Sequence, residues 1–240
     1  MYIENPKTKG SGILTCIPQI GLCPMKCNDC FFQSGRSYLE PLDDNLPNMP
    51  ELSDFRVFRI NDGNDSNNKQ REVIEVCDRY KMKFYNTSIP KYLDEFDAPV
   101  VLTINPAKKT NTYMELVHPI PKNLMFIRIR TNMWNLPLVD IAVNYYTSED
   151  IAVILTFMAY YDNLSVPEQY INSYMFRKRT LNSYYAITTD AWRKVMQRYE
   201  DNIRVYSCGK LEGEKGKTSC KYCGNCLREY FATITRMNVK

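Results

Sequence analysis

Three cysteines stand within eight positions in GLCPMKCNDCFFQSGRSY, residues 21–38, as Cys23, Cys27 and Cys30. A second group closes the chain, with Cys208, Cys220, Cys223 and Cys226 in CGKLEGEKGKTSCKYCGNC. Thiolates at such short spacing, with glycine between them, let a backbone wrap a zinc ion or an iron–sulfur cluster. The two groups differ in what they leave open. Four thiolates complete a tetrahedral zinc site or an iron–sulfur cluster, whereas three are one short and leave an iron with a free position. For the second group the spacing is compatible with zinc and with iron–sulfur alike.

The compartment decides between metal and disulfides. The N-terminus, MYIENPKTKG, lacks the apolar run of a signal peptide, and no stretch approaches the ~18 apolar residues of a membrane span. A cytoplasmic protein without a membrane partner is therefore expected, in which nine cysteines stay reduced and a clustered pattern points to metal. Of the two outlying cysteines, Cys77 shares a helical stripe with Val73, Val76 and Tyr80 and reads as core. Cys16 ends the apolar run GILTC and is read as core in preference to an accessory ligand. A net charge of +4 permits an anionic partner without requiring one.

These cysteines need elements to position them. Six β-like runs precede the C-terminal third: GILTC (12–16), FRVFRI (55–60), MKFY (82–85), VVLTI (100–104), LMFIRIRT (124–131) and VDIAV (139–143). Helices are expected over 69–80, over 148–160 behind a Thr147/Asp150 capping box, and over 189–201 with Trp192, Val195, Met196 and Tyr199 on one face. The alternation predicts an α/β fold with a parallel sheet, doubly wound or curled into a barrel. A β-like run, IRVYS, ends at Cys208. Asn61, Asn86, Asn105, Asn132 and Asn144 follow five of the six runs, at the strand ends where a parallel fold places its ligands. Asparagine is also an ordinary turn residue, which accounts for the pattern without a ligand.

A first strand, a loop with cysteines at this spacing and six alternating strands together resemble the radical S-adenosylmethionine (SAM) enzymes. The resemblance implies a partial (β/α)6 TIM-like barrel over residues 1–160, a helical continuation over 161–207 and a cysteine-rich extension over 208–240. It implies a [4Fe-4S] cluster on Cys23, Cys27 and Cys30 whose fourth iron is chelated by SAM, and a reductant such as flavodoxin or ferredoxin. Reductive cleavage then yields methionine and a 5'-deoxyadenosyl radical that abstracts hydrogen from a substrate. A second [4Fe-4S] cluster, or zinc, is implied on Cys208, Cys220, Cys223 and Cys226. By position, Phe31 and Phe32 would meet the adenine, since Asp29 stands where the family usually has an aromatic residue. RINDGNDS places Asn61, Asp62, Gly63, Asn64 and Asp65 near the methionyl amino group. Asn86, Ser88, Asn105, Arg128, Arg130 and Asn132 fall where carboxylate and ribose contacts are made.

The substrate is less legible. Residues 170–192 interleave Arg177, Lys178 and Arg179 with Tyr170, Tyr174, Phe176, Tyr184 and Tyr185. That composition suits single-stranded nucleic acid, and it equally describes a half-buried element with a solvated charge run, the reading preferred here. Peptides and small metabolites stay open as substrates. The lone histidine, His118 before Pro119, reads as a loop residue. Two further classes remain: a zinc-dependent nucleic-acid-binding module, and a structural or electron-transfer iron–sulfur protein.

Overall fold

The computed structural model describes all residues except 26, 28, 29, 54, 106–113, 179–182, 209–219 and 240. Asp29 and Arg179 therefore lie outside the described residues. The strands are β1 (Ile13–Cys16), β2 (Val57–Ile60), β3 (Lys83–Thr87), β4 (Val100–Ile104), β5 (Leu124–Thr131), β6 (Ala152–Phe157), β7 (Ala159–Tyr160), β8 (Tyr174–Arg177), β9 (Tyr184–Ile187) and β10 (Val205–Cys208). The helices are α1 (Leu42–Asn45), α2 (Gln70–Cys77), α3 (Leu136–Ser148), α4 (Thr189–Gln197), α5 (Cys220–Cys223) and α6 (Asn225–Asn238).

Seven parallel strands, in the order β1-β2-β3-β4-β5-β6-β10, form a sheet curled into a half-barrel. A separate antiparallel sheet runs β7-β9-β8. Thus β8 and β9 occupy part of the stretch expected to be helical between 161 and 207, and β10 returns from it to the main sheet.

Two expected elements change type. VDIAV (139–143) is part of α3, because its burial falls on Leu138, Val139, Ala142, Val143 and Tyr146, a helical repeat begun by Pro137 in the first turn. Asn144 is consequently an exposed position on that helix and leaves the strand-end series. IAVILTF is the strand β6, and the proposed capping pair is not formed: the Thr147 hydroxyl donates to the Val143 carbonyl at 2.8 Å inside α3. A central parallel strand is covered on both faces, so its apolar run shows no alternation and reads like a buried helix.

Helices α2, α3 and α4 cover the outer face, burying Phe58, Ile60, Leu102, Ile127, Ile129 and Val153. Cys16 and Cys77 meet in this layer, where their thiols hydrogen-bond; both are core and remote in role from the cysteine groups. The inner face holds Val57, Phe84, Val101, Met125, Phe126, Ala152 and Ile154, and α6 lies on it through Tyr230, Leu227 and Ile234. Tyr230 sits 6.4 Å from the Phe84 ring and bonds the Lys83 main chain. At the far end of α6, Arg236 donates to the Lys122 carbonyl at 3.1 Å and to that of Leu124. The C-terminal segment is thus packed into the half-barrel. Among the described residues, no helix is long and apolar enough to cross a membrane.

Tyr230→Ala is expected to cost about 3 kcal/mol in urea denaturation, the scale of a buried aromatic truncation. A loss below about 0.5 kcal/mol, typical of an exposed position, would mean that α6 does not belong to the core.

Candidate metal centre

The three-cysteine loop leaves β1 at the strand ends that form the mouth of the half-barrel. Its path is held by local polar contacts: Gln19 donates to the carbonyls of Asp65 at 2.8 Å and Asn68 at 3.2 Å. Asn64 reaches the Gly21 carbonyl at 3.4 Å, the Gln33 amide donates to the Cys23 carbonyl, and the Cys30 amide donates to Cys27 at 3.3 Å. All three thiols are half-buried. Burial pushes Cys23 up to about 11, with smaller contributions from Asp65, Cys27 and Cys30. Cys27 is also raised, by burial and then by Cys30, while the Arg130 guanidinium pulls it back.

The second group sits deeper. Cys208 ends β10, and α5 and α6 bring Cys220, Cys223 and Cys226 to it. Gly224 allows the bend between them at φ 65°, a left-handed conformation that glycine adopts without penalty. The Asn225 amide ties the start of α6 to the Ser207 carbonyl at 3.1 Å, and the Cys220 amide donates to the Lys7 carbonyl at 2.8 Å. Cys208 is raised by its hydrogen bond to Cys223 and then by burial. Burial lifts Cys220 to about 11 against the pull of Arg59, and lifts Cys226 against Arg128 and Arg59.

Sheet register explains how the groups relate. Arg128 lies beside Ile154, which lies beside Tyr206; two residues on, Arg130 lies beside Thr156, which lies beside Cys208. Side chains two residues apart on a strand share a face and stand about 7 Å apart. The upper arginine acts on Cys27 and the lower on Cys208 and Cys226, so both cysteine groups face the mouth of one half-barrel. Among the described residues, no group of three or more His, Cys, Asp or Glu is gathered closely enough to hold a metal ion as the side chains stand. The thiols are neighbours within each group. Their donor chemistry suits a thiophilic metal, and binding requires them to turn inward and lose their protons.

The residues assigned to SAM by position divide sharply. The Asp65 carboxylate accepts from the Thr87 hydroxyl and from the Ser88 amide and hydroxyl, each at 2.7 Å, and from the Asn67 amide at 2.9 Å. It therefore knots the ends of β2 and β3 together and takes up Ser88. Asp62 is paired with Arg59 at 2.7 Å and accepts from Asn5. Asn86 bridges the Ile60 carbonyl at 2.9 Å and the Arg128 guanidinium at 3.0 Å. Asn132 accepts from the amides of Trp134 and Asn135 at the start of α3. Asn61 adopts φ 61° and donates to Ser66 at 3.1 Å. Phe32 is buried with Ile17, Leu39, Leu42 and Leu46, whereas Phe31 is 38% exposed. Asn64, also buried, donates to the Gly21 carbonyl at 3.4 Å and accepts from the Asp65 amide at 2.9 Å.

Sequence reasoning missed Arg59, whose alternation with Val57 was its only signal, and the cation–ring series around Phe31. Lys7 stands 5.5 Å from the Phe31 ring, Phe31 6.5 Å from Tyr161, and Arg36 4.0 Å from Tyr161, which also meets Tyr184 at 6.3 Å. His118 lies beside Tyr145 of α3 at 3.3 Å. No family model matches the chain, and no curated protein or solved structure gives a significant match.

Gly63 illustrates a role different from ligand approach. A Cβ there would fall 2.1 Å from Cδ2 of Phe32. Gly63→Ala is expected to cost about 1–3 kcal/mol, as overpacking does, and most of that cost should vanish in a Phe32→Ala background. A double-mutant cycle in denaturant measures this; equal cost in both backgrounds would break the link between Gly63 and Phe32.

Proposed function

We propose that the protein is a radical SAM enzyme, with Cys23, Cys27 and Cys30 as ligands of a [4Fe-4S] cluster. The observation that carries this reading is the position of the three thiols: one loop, directly after β1, at the mouth of a curled parallel sheet. When bound, such a cluster passes an electron from an external reductant, such as flavodoxin or ferredoxin, to SAM, giving methionine and a 5'-deoxyadenosyl radical that takes hydrogen from a substrate. The chain's own residues supply the surroundings. Arg130, beside Cys27, is suited to pair with the SAM carboxylate, and exposed Phe31 to lie against the adenine. The Asp65 carboxylate ties the ends of the second and third strands together through Thr87 and Ser88. Cys208, Cys220, Cys223 and Cys226 form the second site, for a [4Fe-4S] cluster or zinc. No free ligand position is left there for SAM.

A second reading, a zinc protein that binds single-stranded nucleic acid, draws on the alternation of Lys7, Phe31, Tyr161 and Arg36, which places rings between cations. Metal content separates the two. Reconstituted without oxygen and given dithionite and SAM, the protein is expected to bind iron and release 5'-deoxyadenosine. Cys23→Ala, Cys27→Ala and Cys30→Ala should each reduce that release to the level seen without reductant. A colourless zinc protein, or any of these variants cleaving SAM at the parental rate, would refute the radical SAM reading.

A further inference from the structure

We propose that Arg59 and Arg128 belong to the four-cysteine site: their guanidinium groups donate hydrogen bonds to its thiolate sulfurs and complete a site for a metal–thiolate centre of net negative charge. The proposal rests on the reading of Cys208, Cys220, Cys223 and Cys226 as metal ligands, and it adds two residues from opposite parts of the sheet.

Position is the first argument. Arg59 on β2 and Arg128 on β5 share the inner face with Phe84, Phe126 and Ile154, and Cys208 and Cys226 pack against that same layer. Arg128 holds Asn86 at 3.0 Å and its charge acts on Cys226 and Cys208. It lies two residues before Arg130 on β5, and it acts on Cys208 and Cys226 while Arg130 acts on Cys27.

The second argument is an unmet donor. Arg59 gives one N–H to Asp62 at 2.7 Å, while its Nε is buried without a partner. A guanidinium carries five N–H donors, and a buried one left unmatched is costly. Asp62 is already fixed between Arg59 and Asn5.

Charge is the third. Among the described residues, Asp62 is the carboxylate paired with Arg59, and Arg128 is hydrogen-bonded to Asn86. A divalent zinc ion on four thiolates carries two net negative charges, as does an oxidised [4Fe-4S] cluster on four thiolates. With Asp62 paired to Arg59, the two arginines would offset part of that charge. Hydrogen bonds to ligating sulfur from such outer groups strengthen metal binding and set the properties of the centre.

Cobalt(II) titration of the reduced, metal-free full chain tests this, in a Cys23→Ser, Cys27→Ser, Cys30→Ser background so that only the four-cysteine site reports. That parent is expected to show thiolate-to-cobalt charge transfer and tetrahedral d–d bands. Arg59→Met and Arg128→Met should each weaken cobalt binding about 10–100-fold, the usual effect of losing an outer-shell partner, and Arg128→Lys should retain more affinity than Arg128→Met. Circular dichroism of each metal-free variant checks folding, and Arg59→Gln replaces Arg59→Met in the comparison if the latter does not fold. Cobalt affinities within about twofold of the parent, inside the tenfold lower bound for such a contact, overturn the proposal and leave the four-cysteine reading standing. Arg128→Lys no better than Arg128→Met also overturns it. Absence of cobalt–thiolate bands in the parent removes the four-cysteine reading itself, and the proposal with it.

Discussion

A parallel sheet must be covered on both faces, and in this chain the inner face of the half-barrel is covered by its own C-terminal helix. Most of the architecture depends on that packing. Once Tyr230, Leu227 and Ile234 lie against Phe84, Phe126 and Ile154, the cysteines at the start of α6 are carried inside the curl, beside Cys208. The lower interior is then occupied. What stays open is the mouth at the strand ends, and the first cysteine loop occupies it because it follows β1 directly. Both groups of thiols therefore lie near the same strand ends, with Arg130 acting on Cys27 and Arg128 on Cys208 and Cys226.

Electrostatics follows from the same packing. Thiols in an apolar interior resist ionisation, and buried guanidiniums resist burial; each becomes tolerable when the other is charged beside it. Burial works against the charge of Arg59, but Asp62 and the neighbouring cysteines hold its proton more firmly than usual, whereas burial and the adjacent Arg59 make Arg128 easier to deprotonate. At the first loop, Arg130 acts on Cys27.

The parts of the fold legible in the sequence were those with local signatures. β1 to β5 alternate or end in clear turns, and α2 and α4 show helical stripes, with Thr188 capping α4 through a 3.2 Å bond from the Ala191 amide. The exchange of type has a physical source: five residues of VDIAV are too few to show the helical repeat that runs from Leu138 to Tyr146, and the largely buried run at 152–157 has no period to read. The cysteine groupings were plain from spacing alone. Their surroundings were not, because Arg59, Asp62 and Cys226 come together only through strand order and the docking of α6. Phe31 and Phe32 make the same point on a small scale. Adjacent and identical, they part company because one fills the pocket of Ile17, Leu39 and Leu42 and the other does not.

Iron-edge anomalous diffraction from a crystal grown without oxygen tests the central claim most directly. The account predicts a strong iron peak within bonding reach of the sulfurs of Cys23, Cys27 and Cys30 at the mouth of the half-barrel, separate from any metal held by Cys208, Cys220, Cys223 and Cys226. Zinc in place of iron at that loop, or the seven thiols drawn around one shared metal, would contradict it.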